Sequence, residues 1–122
     1  MTSLSTTRSD AMPNRRRPAT ERGTMYAISF DMDIQSLRDN FGDPYNNAYL
    51  EIRRILERHG FMWQQGSVYF GGSEINAVTC VLAAIDLAQE LPWFSASVRD
   101  IRMLRIEELN DLMPAIKDAS EH

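Results

Sequence analysis

The 122-residue sequence predicts an α+β fold, a four-stranded antiparallel sheet with two helices on one face. Three observations predict it. Residues 25–33 alternate apolar and small or polar side chains without a break, the mark of a half-buried strand. Two later stretches place apolar residues at helical spacing, with short β-patterned runs before, between and after them. Turn signals at Gln65-Gly66 and Gly71-Gly72 then divide the chain into the order β-α-β-β-α-β. That order is the split β-α-β, or ferredoxin-like, pattern, here with a short C-terminal helix added.

Taken in order, the first strand points Tyr26, Ile28, Phe30 and Met32 one way and Ala27, Ser29, Asp31 and Asp33 the other. One face is built for a core, and the other ends in two carboxylates. A loop follows with Gly42. Asp43 then suits an N-cap and Pro44 the first helical position. Tyr45, Ala48, Tyr49, Ile52, Ile55 and Leu56 make the buried side of the first helix, and Arg53, Arg54, Glu57 and Arg58 its wet side. Gly60 is expected as a left-handed cap, with His59 in the last turn. Phe61–Gln64 and Ser67–Phe70 form a hairpin around Gln65-Gly66. Ser73 is expected to cap the second helix, whose buried stripe reads Ile75, Val78, Val81, Leu82, Ile85 and Ala88 until Leu91-Pro92 stops it. Trp93 and Phe94 pack the connection. Val98 to Ile106 is the fourth strand, with a slip in alternation between Met103 and Leu104. A short helix covers about 107–118, limited by Pro114. The face bearing Ala27, Ser29 and Asp31 is left without a helix, and a homodimer through that face or the sheet edges would cover it.

Bulk properties restrict the function classes. With 43% hydrophobic and 25% charged residues, the composition is that of an ordinary globular chain with one core. Residues 1–24 hold five arginines against Asp10 and Glu21, a net +3; the whole chain is −4, which leaves −7 for residues 25–122. An acidic body is not an electrostatic nucleic-acid binder, so any RNA must be met by a local arginine patch. Residues 1–24 read as a disordered basic leader and 25–122 as the single domain. The leader has no apolar core of a secretory signal, and Met25 stands directly before the first strand as an alternative start. Cys80, the lone cysteine, reads as a small buried hydrophobe and suits a reducing, cytoplasmic compartment. No apolar stretch approaches the roughly 20 residues of a membrane span, so no membrane partner is expected.

Histidine chemistry is nearly excluded, because His59 and His122 are the only histidines. Zinc and Cys-His sites fail for the same shortage. Carboxylate chemistry remains. Asp31 and Asp33, two apart on a strand, share a face and read either as holders of a divalent metal such as magnesium or as solvent-facing acids. Arg99, Arg102 and Arg105 read either as phosphate binders or as partners of Asp100, Glu107 and Glu108.

Several segments carry a resemblance: Met25-Tyr26-Ala27-Ile28 followed by Phe30-Asp31; Pro44-Tyr45-Asn46 with Ala48-Tyr49; Gly60-Phe61; Gln65-Gly66-Ser67-Val68-Tyr69; and Trp93-Phe94 with Ser97-Val98-Arg99-Asp100-Ile101-Arg102. In order and spacing they resemble the virulence-associated protein D (VapD) family over about 25–118. The resemblance implies a ferredoxin-like fold related to the small nuclease-like proteins of CRISPR systems, and a homodimer. It implies endoribonuclease activity on single-stranded or messenger RNA and, for some members, a toxin paired with a small antitoxin protein. The family's acid at the end of the first strand falls on Asp31 and its hairpin serine on Ser67, which makes both catalytic candidates. The family does not require an acid at Asp33, so the metal stays open. Ser67 can also be a plain turn serine, or a hydroxyl donor to phosphate. Gly66 would let RNA approach the backbone, and Tyr69, sharing parity with Ser67, would stack on a base or pack in the core or dimer. Arg99 and Arg102 complete the substrate-binding set. The alternative function is a non-catalytic homodimeric RNA- or protein-binding module on the same fold.

Overall fold

The computed structural model describes residues 20–121. They fall into two compact units, one of Thr24–Ile106 and one that holds Glu107 onward with the residues before Thr24. In chain order the elements are β1 (Thr20–Met32), α1 (Ile34–Asn40), α2 (Asn46–Arg58), β2 (Phe61–Gln65), β3 (Val68–Gly71), α3 (Ala77–Glu90), α4 (Phe94–Ser97), β4 (Val98–Asn110) and α5 (Met113–Ser120). The strands form one sheet in the order β2-β3-β1-β4. β3 runs antiparallel to both β1 and β2. With the short helices set aside, the order is the β-α-β-β-α-β expected from the sequence.

The alternation in β1 does what its pattern requires. Ile28, Phe30 and Met32 are buried, and Tyr26 packs against them. Ala48, Ile52, Ile55 and Leu56 of α2 and Phe61 and Tyr69 of the hairpin close over them. Each large side chain so buried is worth about 1.5–3 kcal/mol over its exposed state. Gly60 has φ +95, the left-handed cap its place after the helix predicted. It also lies close to Ile75: a Cβ there would come 2.8 Å from Ile75 Cδ1, and one at Gly71 would come 2.7 Å from Ile75 Cγ2. Ile75 thus wedges between the end of α2 and the end of β3. Gly66, at φ +50, makes the hairpin reversal.

The structure departs from the sequence reading at several places. β1 starts at Thr20, five residues before the expected position, and the remaining leader, residues 1–19, lies outside the described residues. Asp33 is not on the strand: it caps α1, a helix the sequence reading took for loop, and its Oδ1 accepts from the N–H groups of Gln35 (3.1 Å) and Ser36 (3.4 Å). Helix α2 starts at Asn46 rather than at Pro44, because its first turn closes by i+3 bonds to the Pro44 and Tyr45 carbonyls. Asp43 lies instead 3.6 Å from Arg38. Asn76, not Ser73, caps α3, its side-chain oxygen accepting from Thr79 N–H at 3.0 Å.

The larger correction is the rotation of α3. Its buried residues are Cys80, Ala83 and Leu87, and Val78, Val81, Leu82 and Ile85 are exposed. Both sides of this helix are apolar, so periodicity does not choose between them. The small Cys80 and Ala83 let the backbone approach the core closely, which the larger residues would prevent. In β4, Val98 and Ile101 both pack on the core although they are three apart, so the alternation breaks there, and the step from Ile101 to the half-buried Ile106 is also odd, which leaves a second break in the stretch that holds Met103 and Leu104. β4 continues to Asn110, and α5 starts at Met113 with Pro114 in its first turn, so that proline opens the helix rather than limiting it.

Candidate active site

β1 delivers Asp31 to the sheet face opposite Ile28 and Phe30, one residue before the strand ends. Its side chain is 62% exposed, and Arg99 Nη1 of β4 stands 3.6 Å from its Oδ2. An acid and a cation thus meet on the face that the helices leave open. Arg102 is placed differently: its Nε donates to both carboxylate oxygens of Asp100 at 3.2 Å. Arg105 has partners of its own.

The hairpin puts Gly66, Ser67 and Tyr69 into one cavity of about 370 Å³. Tyr49, Leu50 and Arg53 of α2 and Trp63 of β2 complete its wall. Asp31 is not in the wall. It is joined to the cavity through the strand, where Phe30 N–H donates to the Ser67 carbonyl at 3.1 Å. The pairing of Ser29 with Val68 puts Ser67 opposite Phe30, on the helix side of the sheet. Asp31 therefore emerges on one side of the sheet and Ser67 on the other, at adjacent positions.

Aromatic packing holds this end of the sheet. The Phe30 ring stacks with Tyr49 at 6.4 Å and with Tyr69 at 6.1 Å. Burial pushes the Tyr49 phenol up, helped by Tyr45 and by the negative charge of Asp31. Burial likewise raises Tyr69, against the opposing pull of the Arg53 cation. Both phenols stay neutral hydrogen-bonding groups at ordinary pH. Tyr49, Arg53 and Trp63 were not singled out from the sequence. Tyr49 was absorbed by the buried helical stripe and Arg53 by the wet one, and a strand tryptophan reads as core. No spacing rule joins a residue of α2 to one of β2; only the helix packing does.

Of the two readings of Asp31 and Asp33, a shared metal or separate acids, the geometry keeps the two side chains in separate roles. Asp33 is spent on capping α1, and a guanidinium stands beside Asp31. Among the described residues no three His, Cys, Asp or Glu side chains come together as metal ligands. His59 faces Asp86, Nε2 to Oδ2 at 2.8 Å, next to Arg58 and Glu90, and it takes a structural place between α2 and α3.

The family described as CRISPR associated protein Cas2 matches residues 24–112. Endoribonuclease VapD 2 of Riemerella anatipestifer is 55% identical over 93 residues, 75% of this chain and 99% of the relative. An endoribonuclease VapD homolog of Helicobacter pylori is also 55% identical over 93 residues, 76% of this chain and 97% of its own. Endoribonuclease VapD of Dichelobacter nodosus is 45% identical over 95 residues, 78% of this chain and all of the relative. The chain belongs to the VapD family, within the wider Cas2-like group.

Proposed function

We propose that this chain is an endoribonuclease that cleaves single-stranded RNA, messenger RNA included, with Asp31 at the scissile phosphate. The observation that carries the reading is the exposed Asp31–Arg99 pair at 3.6 Å, in a chain 55% identical to relatives named endoribonucleases. A carboxylate beside a guanidinium supplies a base for the ribose 2′-hydroxyl and a positive charge for the phosphoryl oxygens within reach of one phosphate; the new P–O2′ bond displaces the 5′-oxygen of the next nucleotide, which leaves as a hydroxyl with a proton taken up from water. Ser67 Oγ, on the other side of the sheet from Asp31, donates to the phosphate of a neighbouring nucleotide rather than to the scissile one. Gly66 borders the bound strand, Tyr69 is buried against Phe30 and backs that border from the core, and Arg102 adds a weaker electrostatic anchor. Asp33 caps α1 and so is not a second ligand beside Asp31 within one chain, and the magnesium and chelator arms of the test below decide the metal requirement.

The same reading includes a homodimer through the open face. On that face Met62 is 68% exposed and pairs with the half-buried Phe70, whose other neighbour, Ala27, is already fully buried within the protomer. An apolar group on a helix-free face gives a second copy something to bury, and it brings two Asp31–Arg99 pairs near one axis. In a cytoplasmic setting the enzyme would act as a toxin held by a small antitoxin protein. A short adjacent reading frame whose product copurifies and blocks cleavage tests that part.

The decisive test is cleavage of an end-labelled single-stranded RNA by the chain and by Asp31→Asn, each with magnesium and with chelator. Cleavage by the parent alone is expected, with both proteins equally folded. Equal cleavage by the two would remove Asp31 from the mechanism. Binding without turnover by both would favour the non-catalytic RNA-binding module.

A further inference from the structure

We propose that the cavity between α2 and the β2–β3 hairpin is a nucleobase subsite, which takes one unstacked base of the RNA against a platform made by Trp63 and Arg53. The inference rests on the endoribonuclease reading for its ligand class, and on independent geometry for its place.

The volume, about 370 Å³, lies within the roughly 300–1,000 Å³ typical of small-ligand sites. The wall includes three aromatic residues, Tyr49, Trp63 and Tyr69, and one cation, Arg53. Trp63 is 44% exposed although it sits at the mouth of a packed hairpin. Its Nε1–H already donates to the Gly66 carbonyl at 2.9 Å. The indole is therefore oriented and its only donor is spent, so what it offers a ligand is its ring surface. The Arg53 guanidinium lies over that ring, 5.1 Å from the centroid, and its Nε is fixed by Glu57 Oε2 at 3.0 Å. An anchored indole and an anchored guanidinium plane are the two surfaces on which unpaired RNA bases stack, and the remaining guanidinium N–H groups face a base edge or its phosphate.

The surrounding charge points the same way. Residues 25–122 carry a net −7, so phosphate attraction is weak and stacking must supply the affinity. The cavity meets the proposed cleavage point through Ser67, which lines it and whose carbonyl is bound by Phe30, the residue before Asp31. A base held here fixes which nucleotide lies beside the scissile bond. The subsite therefore sets base preference and KM rather than the chemical step.

The test uses the full chain with Trp63→Ala, Trp63→Phe and Asp31→Asn. The probes are the four nucleoside 3′-monophosphates and a non-cleavable 2′-O-methyl RNA hexamer. Binding is read by calorimetry and, where Trp63 is kept, by indole fluorescence quenching; cleavage is read as separate kcat and KM on natural RNA. The hexamer should bind the parent and Asp31→Asn alike. Trp63→Ala should weaken binding by about 5- to 150-fold, the equivalent of roughly 1–3 kcal/mol per stacked base. Trp63→Phe should restore most of it, and salt should change the affinity little. In cleavage, Trp63→Ala should raise KM with kcat nearly kept and should flatten the preference among bases. Equal hexamer affinity for the parent and a folded Trp63→Ala, with KM unchanged, overturns the subsite and leaves the nuclease standing. Hexamer binding that depends on Trp63, in a chain that cleaves no RNA, supports the subsite and overturns the nuclease.

Discussion

At the scale of single residues, the structure separates side chains that look alike in the sequence. Arg99 and Arg102 lie three apart on one strand, yet one faces Asp31 and the other is held by Asp100. If Arg99 offsets charge that develops during cleavage, Arg99→Gln should lower kcat by about 10²–10³-fold, the loss typical of one such donor. Arg102→Gln should change KM severalfold and kcat little, because an exposed cation already paired contributes weakly. Single-turnover and steady-state kinetics on one RNA distinguish the two. Gly60 gives a stability test. Its φ of +95 and the 2.8 Å approach of Ile75 mean that Gly60→Ala should cost at least about 1–2 kcal/mol in urea unfolding, with the m-value unchanged. Asp31 was legible from the sequence because strand alternation and the resemblance agree on it. Asp33 was not, because whether a strand ends at residue 32 or 33 depends on the helix that follows.

At the scale of elements, two expectations concern how helices begin and which side they bury. Asp33 caps α1 through the N–H groups of Gln35 and Ser36, so Asp33→Ala should destabilise the fold by roughly 0.5–2 kcal/mol. A metal-binding role instead would leave the unfolding midpoint unchanged and make cleavage more demanding of magnesium. In α3, Leu87→Ala should cost about 2–5 kcal/mol, whereas Leu82→Ala, at a site 54% exposed, should stay within about 0.5 kcal/mol. Comparable losses for the two would mean that the helix is turned toward the stripe expected from periodicity. The caps show why the sequence reading placed helix ends a few residues off. Ser73, Asn76, Asp43 and Tyr45 all precede helical patterns, and which one caps depends on where the chain enters, which tertiary contacts decide.

At the scale of the whole molecule, buried and paired titratable groups set the pH range of stability. The Asp86 carboxyl lies below its usual range, held there mainly by His59 and then by Arg58 and Glu90. Its folded pKa is depressed, so its contribution is complete above the ordinary carboxylate value of about 3.9 and is lost as pH falls through the folded value. Asp86→Asn should flatten the acid limb of a stability–pH curve. At the other end, burial raises the Tyr49 and Tyr69 phenols and the Cys80 thiol. Each contribution is present below the unfolded pKa, about 8.5 for the thiol and about 10 for the phenols, and is lost as pH rises through the folded value. Urea midpoints measured between pH 8 and 11 should fall steadily, and less steeply in Tyr69→Phe. Among the described residues no helix is long and apolar enough to cross a membrane. The order of strands, the core face of β1, the hairpin turn, the cap at Gly60 and the place of Asp31 on the face opposite the core were determined by the sequence itself, because alternation, helical spacing and glycine backbone freedom are local properties. Tertiary structure alone decided the burial of Cys80 and Ala83 in place of Val81 and Leu82, the pairing of Asp31 with Arg99, and the cavity that joins Tyr49, Arg53 and Trp63 to the hairpin. Each of those depends on how closely two elements that are distant in the chain can pack, and no local pattern encodes that distance.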